Sequence, residues 1–481
     1  MHSPDDSTEK QTCPHQGQSD FIPPFPNPRA KRPSVLARLI ECRTSWLGQF
    51  FEKSYRMKTG LAWLPGKRFF IINQPDLVRQ ILVENPDNYP KNSVLYHMLT
   101  LLLGDGIFIS NGKIWKRQRK MMEQAMTLSH IRSVFPLMQE AVVDMLKRLE
   151  SHRDHQELNI SREMAYITAD IIFRTIFSKP LTQEESDTIF TSFAEYQNQV
   201  ARHSAFLYLG IPSRWLHGPL KGPAQRIRQV IHDNVATRFH NIEAGNEDPY
   251  DDILNGLLMA RDDNGQPFDL EELIDQVAVI FLAGHETSAT ALSWAFYLIA
   301  KCEHLQTAML EEIQQHKSTP EQLTINYEDI RKLKNTSDVF RETLRLYPPV
   351  GGFMKEATQP ICMRDKQIKP GDGVVILPWL MHRREDIWPD THAFKPERFR
   401  DPEQKECIRD YYFPYSAGQR VCIGASFANQ EAILILSAMV EQFQFIAIEG
   451  HDPMPVGHVT IKPETNIRLQ LVRRQASQGC H

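Results

Sequence analysis

The segment FPYSAGQRVCIG, Phe413 to Gly424, is the stretch from which the fold can be inferred. Cys422 lies directly before a predicted long helix, and the first turn of a helix carries unpaired N–H groups that stabilise a thiolate. Gly418 and Gly424 let the backbone approach a flat ligand closely, and Arg420 is placed to pair with an acidic group on it. A lone cysteine in a turn is more often a buried structural residue, so further signals are needed.

A second signal lies in the most apolar segment of the chain, Asp269 to Ala300, which predicts a helix about 48 Å long that is buried on several sides. Its centre reads AGHETS and contains Gly284, Glu286 and Thr287. Burial of the two polar side chains costs free energy unless they are satisfied or used, and a glycine is about 1 kcal/mol worse than alanine inside a helix. This predicts a groove where the backbone meets a ligand, with a satisfied polar cluster or a kink as the alternative.

Two charged motifs on predicted helices are weaker signals. WKRQR places Trp115 and Arg119 at i, i+4 on one face, where an indole N–H and a guanidinium can meet the same anion. ETLR places Glu342 and Arg345 at i, i+3 on one face. Either motif alone predicts no more than a solvated basic helix or a surface ion pair.

The composition excludes several classes of protein. Among 481 residues, 55 Lys and Arg face 59 Asp and Glu, and a net charge of −4 argues against a nucleic-acid partner held by bulk positive charge. Hydrophobic residues at 41% and charged residues at 24% are typical of a globular chain. The 31 prolines outnumber the 23 glycines, which argues against a glycine-rich nucleotide-binding architecture.

Cysteine usage and the N-terminus predict the compartment. The seven cysteines are scattered without a CxxC pair, which argues against disulfides or structural zinc and favours a reducing compartment. Residues 1–30 form a polar, proline-rich lead that we expect to be disordered or extended. The longest strongly apolar stretch, Val277 to Ala283, is far shorter than the ~20 residues of a membrane span. We therefore expect a soluble, cytoplasmic protein without a transmembrane anchor.

The periodicity along the chain predicts a mainly α fold with a minor β part. The runs Leu61–Leu64 and Phe69–Ile72 predict a small hairpin, and residues 112–345 are predominantly helical. A helix from about Tyr327 to Tyr347 is expected to end before Pro348, because proline cannot continue it.

In this order, the motifs resemble those of the cytochrome P450 family. WKRQR resembles the family's WxxxR helix, AGHETS its oxygen-activation motif, ETLR its ExxR pair, PERF at 396–399 its PxRF segment, and SAGQRVCIG its cysteine loop. The resemblance covers the chain from about residue 60 to the C-terminus. It implies a single haem domain over residues 31–481, mainly α, with haem between the long central helix and the cysteine loop.

The resemblance also implies roles for individual residues. Cys422 becomes the axial thiolate ligand of haem b, as the family's haem iron is bound by thiolate. Glu286 and Thr287 become the acid and alcohol that supply protons during oxygen activation. The residues implied to neutralise the haem propionates are Trp115, Arg119, Arg420 and Lys355. The implied buried structural triad is Glu342, Arg345 and Arg398. The implied substrate pocket is lined by the loop at 94–110 and by Phe281, Leu282, Ala283, Val350 and Phe353.

Two positions depart from the family pattern. Tyr415 stands where the family signature has phenylalanine, so its hydroxyl could add a hydrogen bond near the sulfur. Lys355 lies in a segment where many members have arginine, and it offers a point charge in place of a bidentate fork.

The implied activity is insertion of one oxygen atom from O2 into a hydrophobic substrate such as a fatty acid or terpenoid, with electrons from a separate ferredoxin or flavin reductase. A cluster on one predicted helix could dock an acidic partner, although a solvated face is as good an interpretation: Lys113, Lys116, Arg117 and Lys120. Arg202 or His203 could anchor a substrate carboxylate. The alternatives are a peroxide-using or rearranging haem-thiolate enzyme, a non-catalytic haem-binding protein, and a helical interaction protein without a cofactor.

Overall fold

A computed structural model of the chain describes residues 21–34, 37, 44–64, 67–208 and 217–474. Its α helices, numbered along the chain, are α1 (Pro75–Arg79), α2 (Ser93–Leu103), α3 (Gly112–Ala125), α4 (Leu128–Leu149), α5 (Ile160–Phe177), α6 (Gln183–Tyr208), α7 (Gly218–Glu243), α8 (Ile253–Met259), α9 (Leu270–Lys301), α10 (Glu303–His316), α11 (Lys334–Leu346), α12 (Pro378–Met381), α13 (Lys405–Tyr411) and α14 (Ala425–Gln442).

The strands are short and form small sheets. They are β1 (Thr59–Leu64), β2 (Lys67–Ile72), β3 (Glu157–Asn159), β4 (Phe353–Glu356), β5 (Ile361–Met363), β6 (Lys366–Ile368), β7 (Gly373–Ile376), β8 (Phe443–Ala447), β9 (Pro455–Gly457), β10 (Ile461–Pro463) and β11 (Arg468–Arg473). The largest sheet has the order β1-β2-β7-β4. The described residues therefore confirm the predicted class, mainly α with a minor β part.

The four-stranded sheet contains the predicted hairpin. β1 and β2 are antiparallel with Thr59 opposite Ile72, whereas β2 and β7 are parallel with Phe69 opposite Gly373. A Cβ atom at Gly373 would lie 2.4 Å from the Phe69 ring, so glycine lets the two strands approach. β4 pairs antiparallel with β7, and this pairing places Lys355 at the edge of the sheet.

Helix α9 is the central helix of the core. Its N-cap is Asp269, whose carboxylate accepts from the Glu272 backbone N–H at 2.8 Å while the Glu272 carboxylate accepts from the Asp269 N–H. Most of its side chains are buried from Leu273 to Ile299, and it contacts α5, α7, α11 and α14. A helix that is apolar on nearly every side is stabilised by these neighbours, as the sequence predicts.

Two predicted boundaries are wrong. The helix expected from Tyr327 begins at Lys334, because the Asp329 carboxylate holds a tight turn by accepting from the Ser318 N–H at 3.1 Å and from Lys332 at 2.8 Å. The segment expected as a loop at 94–110 is helical over α2, where the Asn92 side chain caps the first turn.

The N-terminal lead falls partly outside the described residues, which begin at residue 21. From there the backbone is extended and in contact with the domain. The Phe21 carbonyl accepts from the Phe394 N–H at 2.9 Å, and the Pro24 carbonyl accepts from the Tyr347 hydroxyl at 2.6 Å. Within the described ranges, no helix is both long and apolar enough to cross a membrane.

Candidate functional site

The cysteine loop is fixed by a tight backbone path. The Cys422 N–H donates to the Tyr415 carbonyl at 2.9 Å, and a 3-10 turn spans Gly418–Arg420. Gly418 has a φ of +70°, and a Cβ atom there would lie 2.1 Å from the Leu82 carbonyl oxygen. Only glycine meets both conditions, so Gly418 sets the shape of the loop.

The Cys422 side chain is accessible although it lies deep in the protein. Burial raises the pKa of its thiol, while the Gly424 backbone N–H and the charge of Arg119 lower it. Its accessible surface therefore borders interior space rather than bulk water. Helix α14 begins three residues later at Ala425, so the predicted arrangement of thiol, glycines and helix N-terminus is present.

The hydroxyl of Tyr415 is directed to α14 rather than to the sulfur. It donates to the Asn429 side-chain oxygen at 3.2 Å, and burial raises its pKa well above the usual range. The structure shows no hydrogen bond from this hydroxyl to Cys422.

On α9, one face of the AGHETS segment borders interior space. Ala283 is exposed although its helix is buried on both sides of it, and the Thr287 hydroxyl donates to the Ala283 carbonyl at 2.6 Å. Phe281, at 1% exposure, instead packs against Phe173 with ring centroids 6.2 Å apart, and Leu282 is also buried. The structure thus brings Ala283 and Thr287 to one surface but not Phe281 and Leu282.

Among the described residues, the hydrogen bonds of the Glu286 carboxylate are to residues other than Thr287, its neighbour in the chain. One carboxylate oxygen, Oε1, accepts from the Gln197 side-chain amide on α6 and from the Thr460 hydroxyl at 3.1 Å. Burial raises the pKa of Glu286, and Gln197, Lys462 and Thr460 partly offset that rise. The acid and the alcohol of the motif therefore have separate partners.

A second group consists of the buried Lys355 and of cations that are half-buried. Burial, together with the charge of Arg420, lowers the pKa of Lys355, which is 7% exposed, to about 8. The Arg420 guanidinium stacks 4.1 Å from the Trp115 ring and donates to the Ser110 carbonyl at 3.1 Å. Burial also lowers the pKa of Arg420, to about 10.

Lys91 belongs to this group and was not identified from the sequence. An antiparallel bridge pairs it with Lys355, and burial together with Arg420 and Lys355 lowers its pKa well below the usual range. Its ammonium donates to the Phe108 carbonyl. Nothing in the local sequence marks Lys91, because only the pairing of two distant segments brings the two lysines together.

These residues fit haem. Lys91, Lys355 and Arg420 form no ion pair with a carboxylate in the described part of the chain, so their buried charge calls for an anion such as a propionate. The accessible Cys422 thiol is of the type that the resemblance implies for the haem ligand. Arg119 connects helix α3, which also carries Trp115, to the cysteine loop, because it donates to the Val421 carbonyl at 2.7 Å.

The predicted triad meets in the core. Arg345 donates to both oxygens of Glu342 at 2.8 Å, and Arg398 donates to one of them at 2.9 Å. The Glu342 and Arg345 side chains are fully buried. The remaining N–H groups of Arg345 donate to the carbonyls of His382, Thr391 and Ala393. A buried charge network that is satisfied in this way fixes the path between α11 and the cysteine loop.

The remaining predicted pocket and anchor residues differ in exposure. Val350 and Phe353 are half-buried, and Phe353 packs near Phe413 with ring centroids 6.4 Å apart. Arg202 is exposed on α6, while the side chain of His203 lies outside the described residues.

The basic cluster on α3 is largely neutralised by the protein's own carboxylates. Lys116 pairs with Asp87 at 2.8 Å, Arg117 with Asp262 at 2.8 Å, and Lys120 with Asp263. Only Lys113 of the four shows no such pair in the described part of the chain. The cluster is therefore not the free positive surface that its sequence suggests.

Comparison with known proteins agrees with this geometry. The family model for Cytochrome P450 matches residues 44–471. A cytokinin hydroxylase from Arabidopsis thaliana is 26% identical over 91% of this chain and 84% of its own length. Human cytochrome P450 4V2 is 27% identical over 83% and 79%, and the chloroplastic protein LUTEIN DEFICIENT 5 from Arabidopsis thaliana is 27% identical over 85% and 71%. The chain therefore belongs to the cytochrome P450 family, whose members are monooxygenases that hold haem b through an axial cysteine thiolate.

Proposed function

We propose that this monooxygenase inserts one oxygen atom of O2 into a hydrophobic, lipid-like molecule such as a fatty acid or terpenoid, with electrons from a separate ferredoxin or flavin reductase. The other oxygen atom leaves as water, and the formation of this water consumes two electrons and two protons. When bound, haem supplies the iron that activates O2. The chain's own residues hold the cofactor, shape the cavity and position protons.

The observation that carries this proposal is the Cys422 thiol. It is accessible and lies before the N-terminus of α14, and the Gly424 N–H and Arg119 offset part of the rise in its pKa that burial causes. An accessible thiol next to a helix N-terminus is suited to bind a metal.

We infer that the propionates lie against Lys91, Lys355, Arg420 and Trp115. The three cations form no ion pair with a carboxylate among the described residues, so their charges and the indole N–H can act as donors to an anion. Arg119 holds the cysteine loop beside these residues, because it donates to the Val421 carbonyl.

Thr287 is the proposed proton relay on the opposite side. Its hydroxyl donates to Ala283, so its lone pairs remain available to accept a proton from water. Glu286 is the proposed acid, and burial raises its pKa toward the range in which a carboxyl group can supply a proton near neutral pH.

The apolar character of the cavity supports the substrate class. Ala283 is exposed, and Val279 and Ile280, which share its face of α9, are apolar and buried. The relatives carry different names, and at 26–27% identity we do not assign this chain the substrate named for any of them.

The reduced carbon-monoxide difference spectrum tests the proposal. The parent protein is expected to show a thiolate-type Soret band, and Cys422→Ser is expected to lose it. Cys362→Ser, at an exposed cysteine, is the matched control and should keep the band. A band that persists in Cys422→Ser would show that the ligand is wrongly assigned.

Turnover under labelled O2 tests the reaction. One labelled atom per product molecule is expected when a reductase and its electron donor are supplied. Product formed only with added peroxide, or without a labelled atom, would favour a peroxide-using or rearranging enzyme instead.

A further inference from the structure

The carboxyl group of Glu286 lies where three elements meet. Its Oε1 accepts from Gln197 of α6 and from Thr460, which directly precedes β10. Both bonds use the same oxygen, and Oε2 has no hydrogen-bond partner among the described residues. Glu286 nevertheless keeps accessible surface, although His285 and Ser288 beside it are buried.

This surface belongs to the cavity side of α9. Glu286 follows the exposed Ala283 by three residues, so their side chains lie about 60° apart around the helix. Val279 and Ile280 lie on the same side and are apolar. The free oxygen of Glu286 is therefore a hydrogen-bond acceptor at the edge of an otherwise apolar face.

The partners of Glu286 hold that oxygen in place. The Gln197 amide and the Thr460 hydroxyl donate to Oε1 from opposite elements, which fixes the plane of the carboxyl group. An acceptor that is fixed before binding loses little conformational freedom when a ligand donor reaches it. An ionised ligand carboxylate has no hydrogen to donate to that oxygen.

We propose that Glu286, Gln197 and Thr460 form the polar subsite of the substrate cavity, and that it accepts the hydroxyl group of an apolar alcohol. This inference rests on the proposed function and narrows it from lipid-like molecules to those with a neutral hydrogen-bond donor. Hydrocarbons and ionised fatty acids both lack such a donor.

Spectral titration of the holoenzyme with matched ligands tests the subsite. The probes are 1-dodecanol, dodecyl methyl ether and dodecanoate, with geraniol and geranyl methyl ether as a second pair. In at least one pair, the alcohol is expected to bind about tenfold or more tightly than its ether, because the ether leaves the buried Glu286 oxygen without a hydrogen-bond donor. Equal binding within both pairs, absence of binding by both alcohols, or tighter binding of dodecanoate would overturn the inference.

Variants locate the effect. Glu286→Gln and Thr460→Val are expected to reduce the preference for the alcohol to about threefold or less. Asn198→Ala, exposed on α6 next to Gln197, is the control and should keep the full preference. A preference that survives in Glu286→Gln and Thr460→Val would also overturn the inference.

The proposed function fails in a different way. If the carbon-monoxide spectrum is of the thiolate type and alcohol and ether are both oxidised without a preference in binding, the monooxygenase proposal stands and the subsite falls. If the thiolate spectrum is absent, the proposed haem site itself is refuted.

Discussion

Replacement of Glu431 by glutamine is expected to stabilise the protein, and the gain is expected to grow with pH. Glu431 lies on α14 at 1% exposure, and neither carboxyl oxygen has a hydrogen-bond partner of normal geometry among the described residues. Burial raises its pKa to about 8 from an ordinary 4.5, and the Ser288 hydroxyl opposes only part of that rise. At neutral pH the folded protein therefore holds a neutral acid where the unfolded chain holds a carboxylate.

The sign and size follow from the two pKa values of Glu431. The folded state binds this proton more tightly, so stability is fully present below about pH 4.5 and falls until about pH 8. A difference of one in pKa corresponds to about 1.4 kcal/mol, so the free energy of unfolding is reduced by about 3 kcal/mol at pH 7 and about 5 kcal/mol above pH 8. Glutamine keeps the shape without the charge and should remove this loss.

Urea unfolding at several pH values measures the effect. Unfolding is followed by circular dichroism and Soret absorbance. The midpoint of Glu431→Gln is expected to match the parent's near pH 5 and to exceed it increasingly up to pH 9. Glu449→Gln, at an exposed position, is the control and should follow the parent. A midpoint difference that does not change with pH, or a variant that is less stable at pH 9, would refute the reasoning.

Three further substitutions test the site. Glu342→Gln removes the negative charge that two buried guanidinium groups share. It is expected to lower the free energy of unfolding by roughly 3–5 kcal/mol, measured as a lower urea midpoint, and an unchanged midpoint would contradict the role of the triad. Tyr415→Phe removes the bond to Asn429 and should cost about 1 kcal/mol without moving the Soret maximum, whereas a moved maximum would mean that the hydroxyl acts on the sulfur. Lys91→Met should speed haem transfer to apomyoglobin about tenfold, whereas Lys113→Met, at an exposed position, is the control and should leave the rate unchanged. Equal rates in the two variants would exclude a propionate contact of Lys91.

The parts of the fold that the sequence predicts correctly are those with local causes. Asp269 caps α9, and Pro348 lies just beyond the end of α11. Their effects depend on neighbours within one or two turns, so they can be read without the tertiary structure. The start of α11 depends instead on Asp329 and Ser318, which a sequence pattern does not connect.

The site shows the same division. Cys422 and Gly418 are predicted because loop geometry and helix position are local properties. Lys91 is not predicted, because its relation to Lys355 exists only after β4 has been placed beside the segment before α2. The partners of Arg117 are likewise remote, and they change a predicted docking cation into an internal ion pair.

Glu286 and Thr287 show why a motif alone does not define a proton path. Neighbours on a helix point about 100° apart, so the two side chains face different partners although they are adjacent in the chain. Thr287 remains with Ala283 on the cavity face, while Gln197 and Thr460 hold the Glu286 carboxyl at its edge. A proton passes between them only if the carboxyl group changes rotamer or a water molecule bridges the gap. With the proposed roles, the same separation would let Glu286 hold a substrate hydroxyl while the Thr287 hydroxyl keeps its bond to the Ala283 carbonyl.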